Sequence, residues 1–259
     1  MMIQFQVISS SSNGNCSLLE YKESKVLIDA GIGIRSLEKF LEQKNLAVSD
    51  IDAIFITHEH GDHCKMLNCL SKYQNLCVFA NEMTAEMVMA KFPKAKNLHW
   101  KIFHTGDVFE YGELKVQSFS VPHDANDTVG YKIDCGGENF VWMTDLGYVS
   151  QSCLNMAKLA NLLVLESNYD PQMLENSTRT YSLKRRIRGS SGHLSNDDAL
   201  SLLQQLDFEK LKKVYLAHVS RECNNTALIA EKIKLLGQNA CKIEIVNPFT
   251  EVLREVRAL

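Results

Sequence analysis

Three histidines and two carboxylates stand within six residues, in His58-Glu59-His60-Gly61-Asp62-His63, directly after the apolar run that ends at Thr57. Imidazoles this close suppress one another's protonation, so a chain gathers them where a cation organises them. Imidazole and carboxylate donors without thiolate suit zinc, iron or manganese in a hydrolytic centre. A complete site recruits further ligands from elsewhere, and three candidates each end an apolar run. His123 follows Phe119-Ser120-Val121-Pro122, Asp145 follows Val141-Trp142-Met143-Thr144, and His218 follows Val214-Tyr215-Leu216-Ala217. Five histidines and two aspartates suit two divalent metal ions sharing one carboxylate, with a water between them, and hydrolysis is the reaction class this implies. His99 and His104 stand alone and read as ordinary core or surface residues.

Ordinary globular composition surrounds the cluster: 259 residues, 45% hydrophobic and 23% charged, which excludes disorder, coiled coil and collagen. The longest apolar runs, such as Leu162-Leu163-Val164-Leu165, fall far short of the ~20 residues a membrane helix needs. The first six residues carry no basic region followed by an apolar core, so they do not read as a secretory signal and a cytoplasmic location is expected. Eight cysteines without a CxxC pair read as reduced, mostly buried thiols, Cys64 among them as a packing residue. Trp100 and Trp142 read as sheet-packing residues. A net charge of -3 argues against a basic coat, yet no acidic residue falls between Glu175 and Asp197, where Arg179, Lys184, Arg185, Arg186 and Arg188 cluster.

No linker interrupts the chain, so one domain over residues 1–259 is expected. The pattern predicts strands over 3–8, 17–21, 25–29 and 51–57, then 116–121, 129–133, 140–143, 162–165, 214–216 and 243–246. Ser9-Ser10-Ser11-Ser12-Asn13-Gly14 reads as a turn. Helices are expected from a Ser36 cap to Asn45, over 83–91, over 195–206 with Ser195 and Asp198 at capping-box spacing, and over 226–236. Hairpins with helices outside them suggest an α/β or α+β sandwich of two sheets flanked by helices.

The HxHxDH run with a later His, Asp and His at strand ends resembles the metallo-beta-lactamase superfamily over nearly the whole chain. That resemblance implies a four-layer αββα sandwich with the metals at the shared edge of two sheets. It implies His58, His60 and His123 around the first metal, Asp62, His63 and His218 around the second, and Asp145 between them. Beta-lactamases of this fold typically have Cys where Asp145 stands, which argues against antibiotic hydrolysis. Val121-Pro122-His123-Asp124-Ala125 departs from the PGHT of glyoxalase II and favours the phosphodiesterase and nuclease branch. Glu166-Ser167-Asn168 and Gly192-His193-Leu194-Ser195 resemble ribonuclease Z-like motifs. Together with Leu27-Ile28-Asp29-Ala30-Gly31, the Ser-Ser-Asn-Gly-Asn-Cys segment and the HLSN and HVSREXN segments, they look most like the YycJ/WalJ-like group, linked to 5′-to-3′ exonuclease activity on DNA. The interval from Asp145 to His218 is too short for a beta-CASP insertion, and there is no long tRNA-gripping arm.

The resulting expectation is a dinuclear phosphodiesterase acting on nucleic acid, with DNA favoured over RNA, loaded with zinc or manganese and with iron as a further option. A metal-bridging hydroxide attacks phosphorus, Asp62 orients it or takes its proton, His193 protonates the leaving oxygen, and Glu166 orients His193. Arg185 and Arg186 in the basic segment, and Ser220, Arg221 and Asn224 after the last ligand, are candidate phosphate contacts, the alternative for the last three being a loop closed on itself. Tyr169 and Tyr181 are candidates for stacking on bases. Alternatives are a hydrolase of cyclic phosphodiesters or thioesters, and a metal-binding interaction protein without turnover.

Overall fold

The computed structural model describes residues 3–73, 75–247 and 256–257. Strands β1 (Gln4–Ser11), β2 (Gly14–Tyr21), β3 (Ser24–Ile28), β4 (Ala53–Phe55), β5 (Cys77–Asn81) and β6 (His99–Phe103) build one sheet, and β7 (Val108–Tyr111), β8 (Leu114–Ser120), β9 (Val129–Asp134), β10 (Asn139–Met143), β11 (Leu162–Glu166), β12 (Lys213–Ala217) and β13 (Ile243–Ile245) build a second. A last strand, β14 (Val256–Arg257), returns to pair with β1 in the first sheet, giving the orders β14-β1-β2-β3-β4-β5-β6 and β13-β12-β11-β10-β9-β8-β7. The helices are α1 (Ile34–Gln43), α2 (Gly61–Cys64), α3 (Leu67–Leu70), α4 (Glu82–Lys91), α5 (Gln151–Ala157), α6 (Pro171–Asn176), α7 (Tyr181–Ile187), α8 (Asn196–Leu203) and α9 (Thr226–Ile233).

Three apolar clusters separate four layers, the αββα sandwich expected from the sequence. The central strands are buried on both faces, so alternate residues of one strand serve different clusters. In β3, Val26 and Ile28 face the second sheet, whereas Leu27 packs with Leu37, Leu41 and Val88 of the first helical layer. In β11, Val164 enters the inter-sheet core while Leu163 and Leu165 pack with Ala199, Leu203 and Ile229. Phe5 of the first sheet sits 4.9 Å from the Phe140 ring and 5.4 Å from the Tyr215 ring of the second. All three are essentially fully buried, each worth roughly 1.5–3 kcal/mol of transfer free energy.

Strand direction places the chemistry. β3 to β6 run parallel, as do β10 to β13. Two antiparallel steps, β8 to β9 and β9 to β10, turn β8 the same way as β10. Carboxyl ends of such strands bound the crevice where open sheets take ligands. Asp29, the 57–63 loop, His123, Asp145, Glu166 and His218 all lie at those ends.

Several local expectations shift. The turn expected over 9–14 narrows to Ser12 and Asn13: β1 continues to Ser11 past an irregularity between Val7 and Ser9, and β2 begins at Gly14. α1 begins two residues before Ser36, with Gly33 as an N-cap that offers no side-chain bond. Ser195 does cap α8, accepting from the Asp198 amide at 3.1 Å, and its hydroxyl donates to the Asp198 carboxylate at 2.6 Å. The last helix ends at Ile233 and gives way to 3-10 turns that break at Gly237, which adopts φ 59°. Cys16, Cys64, Cys135, Cys153 and Cys223 are buried, whereas Cys69 and Cys241 are exposed.

Candidate metal centre

His60 ends an extended segment at the N-cap of α2, and the turn that follows carries Asp62 and His63 back towards His58. Gly31 permits this turn to lie against the end of β3. A Cβ there would fall 1.5 Å from the Asp62 carbonyl oxygen, and the chain locks in through Ala30 N to His63 O at 2.6 Å. Asp29, wholly buried, accepts from the Thr57 amide at 2.9 Å and faces His63 Nδ1 at 2.7 Å.

The same device recurs around the cleft. His123 Nδ1 lies 3.0 Å from Gly192 O, and His218 Nδ1 lies 2.6 Å from Glu166 Oε1. In each case a fixed acceptor takes the Nδ1 hydrogen and turns Nε2 inward, the arrangement that orients metal-ligating histidines. Glu166 does this twice, since His193 Nδ1 lies 2.9 Å from the same oxygen. Its other oxygen accepts from the Leu146 and Leu194 amides, both at 3.0 Å.

Single donor atoms of His58, His60 and His123 lie within 4.8 Å of one another, as do those of Asp62, His63 and His218. Asp145 joins both neighbourhoods, grouping with His58 and His63 on one side and with Glu166, His193 and His218 on the other. Three buried polar atoms at the middle of this set, His58 Nε2, His218 Nε2 and Asp145 Oδ2, have no hydrogen-bond partner. Each orphaned group costs roughly 1–3 kcal/mol, and an array of imidazole nitrogens and carboxylate oxygens around such atoms fits divalent cations. The electrostatics agree. Burial opposes charge on His63 and His218, yet Asp145 with Asp29 and Glu166 raises them to about 10 and about 9. Burial likewise opposes the Glu166 carboxylate, but His193 and His218 hold it at about 2. His58 is pushed well below its usual value by burial and by His63.

Backbone strain concentrates here. Among the described residues the non-glycine positions in left-handed conformation include Asp29, Asp145 and His218, at φ 62°, 58° and 54°. Such conformations are uncommon outside glycine and cluster at functional sites.

The cleft has a volume of about 230 Å³ and is lined by Asp62, His123, Asp145, His193 and His218 on its floor and by Arg179, Leu183 and Arg186 at one wall. Arg186 Nε donates to the Asp124 carboxylate. Burial opposes that carboxylate's charge, but the Arg186 hydrogen bond and the nearby imidazoles keep it below its usual range. Arg185, about 100° away round α7, is exposed and does not line the cleft. Arg179 does, and pairs with Glu222 at 3.2 Å.

Of the residues after the last ligand, Ser220 lines the cleft and Arg221 lines a neighbouring cavity. The expected phosphate contact of Asn224 gives way to a structural role. It is buried, its amide donates to Ser167 O and Asn168 O at 2.9 and 3.0 Å, and it pairs reciprocally with the Asn196 amide. Tyr169 is also buried, packed with Leu174, Ile187 and Cys223 rather than open to bases, whereas Tyr181 is 72% exposed. Asn15 and Asp124 carried no assigned role in the sequence. Asn15 Nδ2 lies 3.0 Å from His63 Nε2 across 48 residues, a pairing that local spacing cannot reveal, whereas the adjacency of Asp124 to His123 was a usable signal.

The sequence matches the beta-lactamase superfamily domain over residues 24–219. It is 36% identical over 227 residues to the exodeoxyribonuclease YycJ of Bacillus anthracis, covering 86% of this chain and 85% of that protein. It is 33% identical over 223 residues to the exodeoxyribonuclease WalJ of Streptococcus pneumoniae, covering 85% and 83%. The crystal structure of YhfI from Bacillus subtilis, a metallo-beta-lactamase fold protein, superposes with a TM-score of 0.72 at 16% identity, covering 95% of this chain and 96% of that one. With the αββα layers, the histidine-rich cleft and these matches in agreement, the chain belongs to the metallo-beta-lactamase superfamily and, within it, resembles the YycJ and WalJ proteins.

Proposed function

We propose that the cleft holds two divalent cations, zinc or manganese, and hydrolyses phosphodiester bonds of DNA as a 5′-to-3′ exonuclease. The observation that carries this reading is the pair of donor groups meeting at Asp145, with His58 Nε2, His218 Nε2 and Asp145 Oδ2 buried between them without a hydrogen-bond partner. His58, His60 and His123 would hold one ion, Asp62, His63 and His218 the other, with Asp145 shared. Bound there, such ions supply Lewis-acid stabilisation of phosphate charge and lower the pKa of water. The similarity to proteins named exodeoxyribonucleases supports nucleic acid as substrate and DNA as the polymer.

The chain's own residues complete the chemistry. Asp62, less buried than the His63 imidazole beside it, orients the attacking water and takes its proton. His193 has Nδ1 fixed on Glu166, so Nε2 is its free nitrogen in the cleft and protonates the leaving oxygen. Glu166 touches no substrate: it is a positioning residue for His193 and His218. Arg186 offers its guanidinium to the strand, and Ser220, which also lines the cleft, offers a hydroxyl.

The test is cleavage of 5′- and 3′-labelled single- and double-stranded DNA, with matched RNA, by the manganese-loaded protein and an Asp62→Ala control. Control-sensitive release of 5′ mononucleotides is expected. Intact polymers alongside turnover of a small phosphodiester or thioester would refute the nuclease reading.

A further inference from the structure

A second cavity, of about 300 Å³, adjoins the metal cleft. Three cations line it, Lys39, Lys65 and Arg221, and among the described residues no carboxylate does. Ile32 and Phe40 form its apolar wall. Lys65 Nζ donates to Asn13 O at 2.6 Å, which fixes the ammonium at the cavity while leaving it further hydrogens to donate. Lys39 is exposed and makes no ion pair among the described residues. The N-cap of α1, Gly33, also lines the cavity, and the first turn of that helix carries no acidic side chain to offset the charge.

The two cavities are lined by residues that neighbour one another in the chain. Ser12 lines the cleft and Asn13 the second cavity; Ser220 lines the cleft and Arg221 the second cavity. Consecutive Cα atoms are about 3.8 Å apart. Asp62 and Lys65, three positions apart at the α2 turn, divide in the same way. A polyanionic strand with one phosphate in the cleft must place the next charge close by. The cleft itself already presents Asp62, Asp124 and Asp145, whereas the charged residues lining the adjoining cavity, among those described, are Lys39, Lys65 and Arg221, beside an apolar face for a sugar or base.

We propose that this second cavity is a phosphate subsite that seats the nucleotide flanking the scissile bond, with Lys39, Lys65 and Arg221 on its phosphate. The proposal rests on the nuclease reading above. The phosphate can be a terminal monoester or an internal diester, and the two are separable.

The decisive variant is Lys39→Glu in the full chain, with Lys39→Gln as a milder partner. The substrates are 5′-phosphorylated and 5′-hydroxyl single-stranded DNA, with bis(p-nitrophenyl) phosphate, which has no second phosphate to place in the cavity, as reference. Binding of fluorescent DNA across a salt series, without added metal, gives a readout independent of turnover. We expect KM on DNA to rise about tenfold or more, and the salt slope to fall by about 0.7 for each phosphate that is no longer neutralised, with the small diester hydrolysed as before. An effect confined to the 5′-phosphorylated strand assigns the terminal monoester; an equal effect on both strands assigns the internal diester. Wild-type KM and salt slope in Lys39→Glu would overturn the subsite, as would an equal decline on DNA and the small diester. A wild-type protein that turns over the small diester but no DNA would instead defeat the nuclease reading itself.

Discussion

Replacing Glu166 by Gln keeps the side chain's shape and exchanges one carboxylate oxygen for an amide. The wild-type carboxylate, fully buried, takes four hydrogen bonds: two from the Leu146 and Leu194 amides on one oxygen, and two from His193 and His218 on the other. Gln can serve only one of these pairs. With its oxygen towards the two backbone amides, its NH2 meets both Nδ1 atoms, and each imidazole must move its own hydrogen to Nε2 to accept. His218 then loses the inward lone pair. With the amide reversed, two backbone N–H groups face an NH2, and at roughly 1–3 kcal/mol for each unsatisfied donor the fold loses about 2–6 kcal/mol. Loss of such an outer partner typically lowers metal affinity about 10- to 100-fold, and that is the magnitude expected here, with kcat falling as His193 loses its fixed tautomer. Thermal unfolding, metal titration calorimetry and kcat measured on one preparation separate these effects. Metal affinity within about twofold of wild type, together with unchanged kcat, would refute the positioning role.

Gly31→Ala places a methyl against Asp62 O, so the 58–63 turn must shift; metal content and thermal midpoint should both drop, the midpoint by about 2 °C or more for each kcal/mol lost in a chain of this size, and a midpoint within about 0.5 °C of wild type would contradict the packing. Chelation should lower the midpoint, because an ion present at 1,000 times its Kd adds about 4 kcal/mol of stability; an unchanged melting curve would mean that no cation relieves the buried unpaired atoms. Arg186→Ala should weaken DNA binding and reduce the salt slope by about 0.7–0.9, whereas Arg185→Ala, off the cleft wall, should do less; equal effects would return both to a generally charged surface.

The sequence exposed the centre where its donors are neighbours. His58, His60, Asp62 and His63 are legible because one turn holds them, and His123, Asp145 and His218 because each ends an apolar run. What supports them was not legible. Asp29 lies 34 positions from His63 and Glu166 lies 52 from His218, so neither pairing has a local signature. The strands of the second sheet that alternate or run continuously apolar could be read, but its β7 has only four residues in all, and in the first sheet β5 went unread and β6 has three of five residues exposed. α7 looked like a charge run because Ile187 is its single buried residue. Asn224 followed the alternative reading of its segment: a polar residue near the last ligand ties its loop to Ser167, Asn168 and Asn196.

The left-handed backbone at Asp145 and His218 also restricts how this chain can change in length. Inserting one residue in β10 or β12 would carry Thr144 or Ala217 into the strained position. Thr144, being β-branched, tolerates that conformation poorly, and the same slip turns each following side chain to the opposite face of the sheet. The edge that bears the cleft therefore admits no single-residue insertion or deletion in these strands, and variation in length is confined to hairpins and helix connections elsewhere in the sandwich.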